Sequence, residues 1–337
     1  MSATGLPSLA GFRSAMIVKP SSLGDIVHTL PAVQAIRRAF PHLRLRWLAN
    51  TEWTPLLEGS PLVDEVIPFP RKQFRGFAGL LKMRRWAADW GRLPREEPEI
   101  VLDFQGLFRS AFIARARGSR PVVGLSDSRE GARFLHDHVI PVDAGAHAVD
   151  QYLALPSAFG IPVDAHAAAF PLTEGSRPEG WPGGGDLIVI HPWSRGAGKS
   201  LSDDVLRALC AALAPLPVVI VGMAQGAPVP EGAQVTDLSD RTTLAELVWV
   251  LRRARYVISV DSGPMHIAAA VNDRTLAIHT WSDPRRVGPY NPRAHVWKAG
   301  RIGSRTGFQP NECRAATPVP PADAAKIADF IRKLGKH

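Results

Sequence analysis

"AMIVKPSSLGDIVHTLPAVQAI", residues 15–36, contains the repeating unit of the whole chain. Ala15 to Lys19 reads as a short buried strand. Ile26, Val27, Leu30, Val33 and Ile36 then recur at the spacing of one helix face. Between them runs a loop of small and polar residues, "PSSLGD", ending in a single acid, Asp25. A strand feeding a helix through such a loop is the building block of parallel α/β architecture. Ligands in open α/β sheets bind at the carboxyl ends of the strands, so this loop is a place to look for chemistry. Asp25 also has a simpler reading as an N-terminal helix cap, and this stretch alone favours the cap.

The alternation continues along the chain. In the first half, strands are expected at "AMIVK", "LRLRWLA", "EVIPF", "IVLDF" and "PVVGL", with helices between most of them. A Pro- and Gly-rich stretch, "IPVDAHAAAFPLTEGSRPEGWPGGG", then breaks the pattern and reads as a linker. A second series follows: "DLIVI", "LPVVIVG", "AQVTDL", "YVISV" and "TLAIHT", with helices "SDDVLRALCAALA" and "TLAELVWVLRRA" and a final amphipathic helix. The expected organisation is a flexible leader at 1–14, a first domain at 15–165, a linker at 166–185, a second domain at 186–320 and a C-terminal helix at 321–337. Two such sheets would enclose a cleft between the domains.

The 337 residues carry a net charge of +9, which points to anionic partners. The charge concentrates in "RKQFRGFAGLLKMRRW", residues 71–86, where Arg71, Lys72, Arg75, Lys82, Arg84 and Arg85 interleave with Phe74, Phe77, Leu80, Leu81 and Trp86. The segment is either a solvated amphipathic surface or a face that meets phosphates or membrane headgroups. No zinc finger, aromatic RNA-binding signature or helix-turn-helix pattern accompanies it, so nucleic acid is disfavoured as a partner. No window approaches the ~20 unbroken apolar residues of a membrane span, and the first dozen residues make a poor signal peptide. A cytoplasmic location is expected. Cys210 reads as a core residue on an apolar helix, and Cys313 as a free thiol in a polar loop.

Two further strand-end loops carry chemistry. In "YVISVDSGPMHIAAAV", Asp261, Ser262 and Gly263 lie between a buried strand and a helix whose free amides suit an anion. A diphosphate is the natural guest, with helix capping by Asp261 and Ser262 as the plainer alternative. His266 on the first turn either touches the same ligand or packs. In "IHPWSRGAGKSLSDD", Ser194, Arg195 and Lys199 surround two glycines, and such groups would neutralise phosphates. Neither a Walker loop nor a dinucleotide fingerprint is present. His28 reads as structural, and no cluster with metal-ligand spacing joins it to Asp25.

"VKPSSLGDIVHTLPAVQAIRRAFP", "VLDFQGLFRSA" and "VISVDSGPMHIAAA" together resemble the bacterial lipopolysaccharide heptosyltransferases of glycosyltransferase family 9. The resemblance runs in order from about residue 15 to the last helix. It implies a GT-B fold, two Rossmann-like domains with parallel sheets facing across a cleft. It also implies inverting, metal-independent transfer of heptose from ADP-heptose to a lipid A-linked acceptor, with no cofactor. Asp25 matches the family's general base. Lys199, Ser194, Asp261, Ser262, Gly263 and His266 match its donor-binding positions. Ser21, Ser22, Gly24, Gln105 and Arg109 would line the acceptor side. Gln225 stands near a place where the family often carries Glu. The rival expectations are a family member with another sugar or acceptor, and a non-catalytic nucleotide-sugar binding protein on the same scaffold.

Overall fold

The first strand, β1 (Ser14–Val18), is buried at every position, as befits a strand with neighbours on both edges and helices over both faces. The structure is a computed structural model and describes residues 5–74, 76–94, 96–165, 168–314 and 316–334. Arg75 of the basic segment lies outside the described residues. The chain divides into two units, Met1–Thr173 and Glu174–His337.

In the first unit β1 is joined by β2 (Arg44–Asn50), β3 (Glu65–Phe69), β4 (Glu99–Asp103), β5 (Val122–Leu125) and β6 (His138–Ile140). The sheet order is β3-β2-β1-β4-β5-β6, and every pairing is parallel. Helices α1 (Leu23–Ala39), α2 (Gly76–Arg92), α3 (Phe108–Ala116) and α4 (Ala148–Ala158) connect or flank these strands. Strand β6 was not anticipated, because three residues are too few to show a period. The leader is not loose over its described part. Leu6 and Leu9 are buried, and the Ser8 hydroxyl accepts a hydrogen bond from the Ala10 amide. Burying two leucines contributes about 1.5–3 kcal/mol each toward holding this short segment.

The second unit repeats the plan. Its strands are β7 (Ile188–His191), β8 (Val218–Ile220), β9 (Val235–Asp237), β10 (Tyr256–Val260), β11 (Thr275–Ile278), β12 (His295–Lys298) and β13 (Arg301–Gly303). They lie in the order β13-β12-β11-β10-β7-β8-β9. All pair in parallel except the β12–β13 hairpin. That hairpin was missed. Its turn residues, Ala299 and Gly300, both have positive φ, as a two-residue hairpin turn requires, but Ala-Gly is not the usual signal.

Helices α5 (Asp203–Leu213), α6 (Leu244–Arg253), α7 (Gly263–Val271), α8 (Pro284–Val287), α9 (Pro310–Arg314) and α10 (Asp323–Leu334) complete this unit. Ile327, Ala328 and Ile331 of α10 pack into the same core as Leu206, Leu209 and Cys210 of α5. Part of the expected linker is also built in. Trp181 is buried edge-on to Trp249, 5.3 Å between ring centres. Gly175 lies so close to α6 that a Cβ would come 2.2 Å from the Ala245 carbonyl oxygen. Cys313 is not in a polar loop. It is buried in α9 among Met265, Ala277, Val296 and Phe308.

Buried charge stabilises the amino-terminal edge of the first sheet. The Glu99 and Arg117 side chains are both fully buried and 2.8 Å apart. Ser119 donates to Glu99 as well, and Arg46 lies 3.5 Å away. Burial alone would raise the Glu99 carboxyl, but bonds from Arg117 and Ser119 hold it below its ordinary value. We expect Glu99→Ala to lower stability by about 3–5 kcal/mol, because Arg117 is left as an uncompensated buried charge. Arg44→Ala, which breaks exposed pairs with Glu65 and Glu96, should cost less than about 1 kcal/mol. Urea unfolding of the two variants tests the contrast, and equal losses would contradict it.

Candidate active site

In each sheet the chain reverses direction at one place, and the crevice there is the expected ligand position. In the first unit the reversal falls between β1 and β4. Asp103 closes β4 and shapes the loop behind it. Its Oδ1 accepts from the amides of Gln105 (2.9 Å) and Gly106 (3.2 Å). Its Oδ2 accepts from the Ser110 hydroxyl (3.0 Å) and meets His136 Nε2 (3.0 Å). The loop so held presents Gln105 Oε1 to the Ser21 amide, 3.1 Å away. Gly106 has φ +62°, and a Cβ there would approach the Ser128 hydroxyl to 2.9 Å.

Asp25 sits in the first turn of α1, half-buried. The Ser22 amide (2.9 Å) and hydroxyl (2.6 Å) both donate to its Oδ2. Asp25 therefore caps the helix through its own carboxylate, and Ser22 serves the acid. Behind it lies a pair not singled out from sequence. Lys19 is buried, and its ammonium donates to the Phe104 carbonyl (2.8 Å) and the Tyr152 hydroxyl (2.7 Å). Burial pushes Lys19 down. Burial and the nearby Asp25 carboxylate push Tyr152 well up, and the Tyr152 hydroxyl is hydrogen-bonded to Asp25. The signal was a lysine closing an apolar strand.

A cavity of about 300 Å³ in this unit is lined by Ser21, Gln105 and Arg109 together with Asn50, Arg71 and Phe108. Three of the expected acceptor-side residues thus share one pocket. Ser22 and Gly24 follow Ser21 into α1, with Gly24 buried inside its first turn. His28 is buried, edge-on to His147 at 5.2 Å between ring centres, as a structural role predicts.

In the second unit the reversal falls between β7 and β10, and the two phosphate-friendly loops meet there. Lys199 Nζ donates to Asp261 Oδ2 at 2.5 Å. Ser194 Oγ accepts from the Gly196 amide (3.3 Å) and donates to the Asp261 carbonyl (3.4 Å). Thr280, after β11, holds the same loop through the Gly198 carbonyl at 2.8 Å. The Lys199 ammonium also stands 4.7 Å over the Trp281 ring, a cation–π contact. Asp261 is the residue before Ser262 and Gly263, which open α7.

The capping alternative fails for the Asp261–Ser262 pair, since Ser262 makes no side-chain cap bond. Its hydroxyl donates instead to the Val260 carbonyl (3.0 Å) and lies 3.3 Å from His191 Nδ1. Asp261 points to Lys199 and to Ser282, whose hydroxyl donates to Oδ2 at 2.6 Å. Burial would raise the Asp261 carboxyl, but the Lys199 charge, and bonds from Lys199 and Ser282, hold it below its ordinary value. His266 is buried on the first turn of α7. Arg195 is exposed, and Gln225 is exposed with its amide bonded to Asp240. Among the described residues no group of three or more His, Cys, Asp or Glu side chains could hold a metal ion.

The sequence pattern of glycosyltransferase family 9 (heptosyltransferase) matches residues 86–311. The chain belongs to that family. It is 28% identical over 331 residues to lipopolysaccharide heptosyltransferase 1 of Pseudomonas aeruginosa, covering 94% of this chain and 91% of that protein. It is 26% identical over 301 residues to lipopolysaccharide heptosyltransferase 1 of Escherichia coli K12, covering 85% and 93%. Among solved structures, it resembles E. coli heptosyltransferase WaaC with ADP, with a TM-score of 0.73 and 20% identity over 96% of this chain and 99% of that one. A family 9 glycosyltransferase from Veillonella parvula gives a TM-score of 0.75 and 17% identity over 95% and 97%. These likenesses carry the fold: this family 9 chain has the two Rossmann-like units of the GT-B class.

Two histidines at the second crevice make stability sensitive to acid. His191 and His279 are buried, and burial pushes both from 6.5 to about 4. Between those values the unfolded chain binds more protons than the folded one, so stability falls as pH drops. We expect a lower denaturant midpoint at about pH 4.5 than at about pH 7.5, with on the order of 2–3 kcal/mol from each histidine. His191→Asn should flatten that slope. An unchanged slope would show that His191 titrates normally in the fold.

Proposed function

We propose that this chain is an inverting, metal-independent glycosyltransferase. It transfers heptose from ADP-heptose to a hydroxyl of the lipopolysaccharide inner core on a lipid A-linked acceptor. The observation that carries this reading is the Lys199–Asp261 bond, which draws two strand-end loops and the amino end of α7 to one place. An ammonium beside a helix amino end is suited to the diphosphate of a nucleotide sugar. On this reading the second unit holds the donor through Ser194, Lys199, Asp261, Ser262, Gly263 and His266. The first unit holds the acceptor through Ser21, Ser22, Gly24, Gln105 and Arg109.

Asp25 accepts the proton of the acceptor hydroxyl as that oxygen bonds to the anomeric carbon. The bond from that carbon to the diphosphate breaks, and ADP leaves with the electron pair. Lys199 and the amino end of α7 stabilise the charge on the leaving group, which is the largest electrostatic demand of the step. The two Ser22 bonds orient Asp25 in its charged, proton-accepting form.

The basic segment fits an anionic headgroup layer at the cytoplasmic face of a membrane. Lys82, Arg84 and Arg85 are exposed on α2 beside Leu81, itself 65% exposed. Trp86 and Trp90 stack on each other at 5.5 Å on the inward side. No described helix is long and apolar enough to cross a membrane.

Asp25→Ala should reduce transfer by about 10²–10⁴-fold while leaving ADP affinity within about twofold of wild type. Lys199→Ala should weaken ADP binding by roughly tenfold or more. A chelator should leave turnover unchanged. Equal transfer by wild type and Asp25→Ala sinks the base assignment. ADP binding without transfer to any lipid A-linked acceptor would favour a binding module or a different acceptor.

A further inference from the structure

Beyond the donor loops, two residues on the segment after β11 reach the same carboxylate. Ser282 Oγ donates to Asp261 Oδ2 at 2.6 Å and lies 2.8 Å from His279 Nδ1. All three side chains are buried. The proton assignments follow from counting donors. An ionised Asp261 can only accept, so the single Ser282 proton is directed at Oδ2. Ser282 Oγ can then only accept from His279, which places the imidazole proton on Nδ1. The other ring nitrogen, Nε2, is buried and has no hydrogen-bond partner among the described residues. A protonated Nε2 would leave a buried donor unsatisfied, so a neutral ring with its proton on Nδ1 fits the surroundings.

The bonds thus converge on Asp261: His279 donates to Ser282, Ser282 donates to Asp261, and Lys199 donates to Asp261 as well. Both side-chain bonds to Asp261 fall on Oδ2, which sets the plane of the carboxylate and the place of the Lys199 ammonium. The His279 backbone is itself anchored, its amide donating to the Trp297 carbonyl at 3.0 Å.

We propose that His279 and Ser282 are positioning residues for donor binding: their fixed chain of hydrogen bonds holds Asp261 so that Lys199 meets a nucleoside diphosphate without reorganising. This rests on the reading of the Lys199–Asp261 pair as the donor-phosphate site. Neither residue contacts the ligand in this scheme. Each acts through Asp261.

Asparagine and glutamine at 279 separate the two ring nitrogens, because the Asn amide nitrogen overlays Nδ1 and the Gln amide nitrogen overlays Nε2. Titration calorimetry with ADP is the readout, alongside KM and kcat for ADP-heptose. We expect Ser282→Ala and His279→Gln to weaken ADP binding about tenfold, the effect of losing one hydrogen bond from the chain that holds Asp261. The loss should appear in KM for the donor, with kcat changed less. His279→Asn should bind ADP within about threefold of wild type. A role in packing alone would make His279→Asn and His279→Gln fail alike, and that result overturns the proposal. Wild-type ADP affinity in Ser282→Ala also overturns it, and Ser282→Ala removes too little volume to threaten folding. Lys199→Ala distinguishes the two levels. If it binds ADP as wild type does, the donor-site reading fails; if it binds weakly while Ser282→Ala binds normally, only the positioning role fails.

Discussion

A parallel sheet that grows in both directions from its first strand must leave one gap where neighbouring strands send their connections opposite ways. Both sheets of this chain have that gap beside their first strand, between β1 and β4 and between β7 and β10. Everything chemical follows from it. The connections from the two strands leave in opposite directions there, so loop residues at the gap can keep polar atoms open to a ligand. Asp25 and Gln105 come from the two lips of the first gap, and Lys199 and Asp261 from the two lips of the second. Each pair of lips is tied by a hydrogen bond, Ser21 to Gln105 in one unit and Lys199 to Asp261 in the other.

Buried charge occurs at both ends of these sheets, and comparing the ends separates support from chemistry. At the amino end of the first sheet, Glu99 is matched by Arg117, Ser119 and Arg46, and the Glu99 and Arg117 side chains are closed to solvent. Such a network orders the strands and has nothing left to offer a ligand. At the carboxyl end of the second sheet, Lys199 keeps 19% of its side chain exposed while bound to a carboxylate that is almost wholly buried. A partly exposed ammonium on a buried anchor can exchange part of its bonding to an incoming anion without leaving its place. Asp103 belongs with Glu99 in this comparison. It sits at a functional end, yet its oxygens are occupied by Gln105, Gly106, Ser110 and His136, so its work is to shape a loop.

The strand-and-helix alternation was legible because buried parallel strands are continuous apolar runs, and most of the core strands were placed within a residue or two. What escaped was short or locally atypical. β6 has three residues, and β12–β13 turns on Ala299-Gly300. Cys313 and the stretch around Trp181 were misjudged because a polar or Pro-rich neighbourhood in sequence says nothing about which single apolar side chain turns inward. Asp25, Lys199 and Asp261 drew attention because each lies in the connection between a strand and the next helix or at that helix's start. Lys19, Tyr152, Ser282 and His279 did not, because their importance lies in which atom they touch. Tyr152 reaches the first site from α4, far along the chain, and no local pattern marks it.

Asp25 shows why the cap and the base need not be rival readings. A capping carboxylate near a helix amino terminus sits in a field that favours its charged form. Here the bonds that mark it as a cap, from the Ser22 amide and hydroxyl, land on one oxygen and fix the other by geometry. A general base needs the same two things, a stable anion and a fixed direction. The strain between the roles lies in basicity, since bonds that stabilise the anion also weaken its pull on a proton. Tyr152 adds to that stabilisation, and behind it the buried Lys19 keeps the tyrosine oxygen occupied. On the proposed mechanism this hold supplies direction, which an acceptor hydroxyl already made acidic by formation of the glycosidic bond needs more than force.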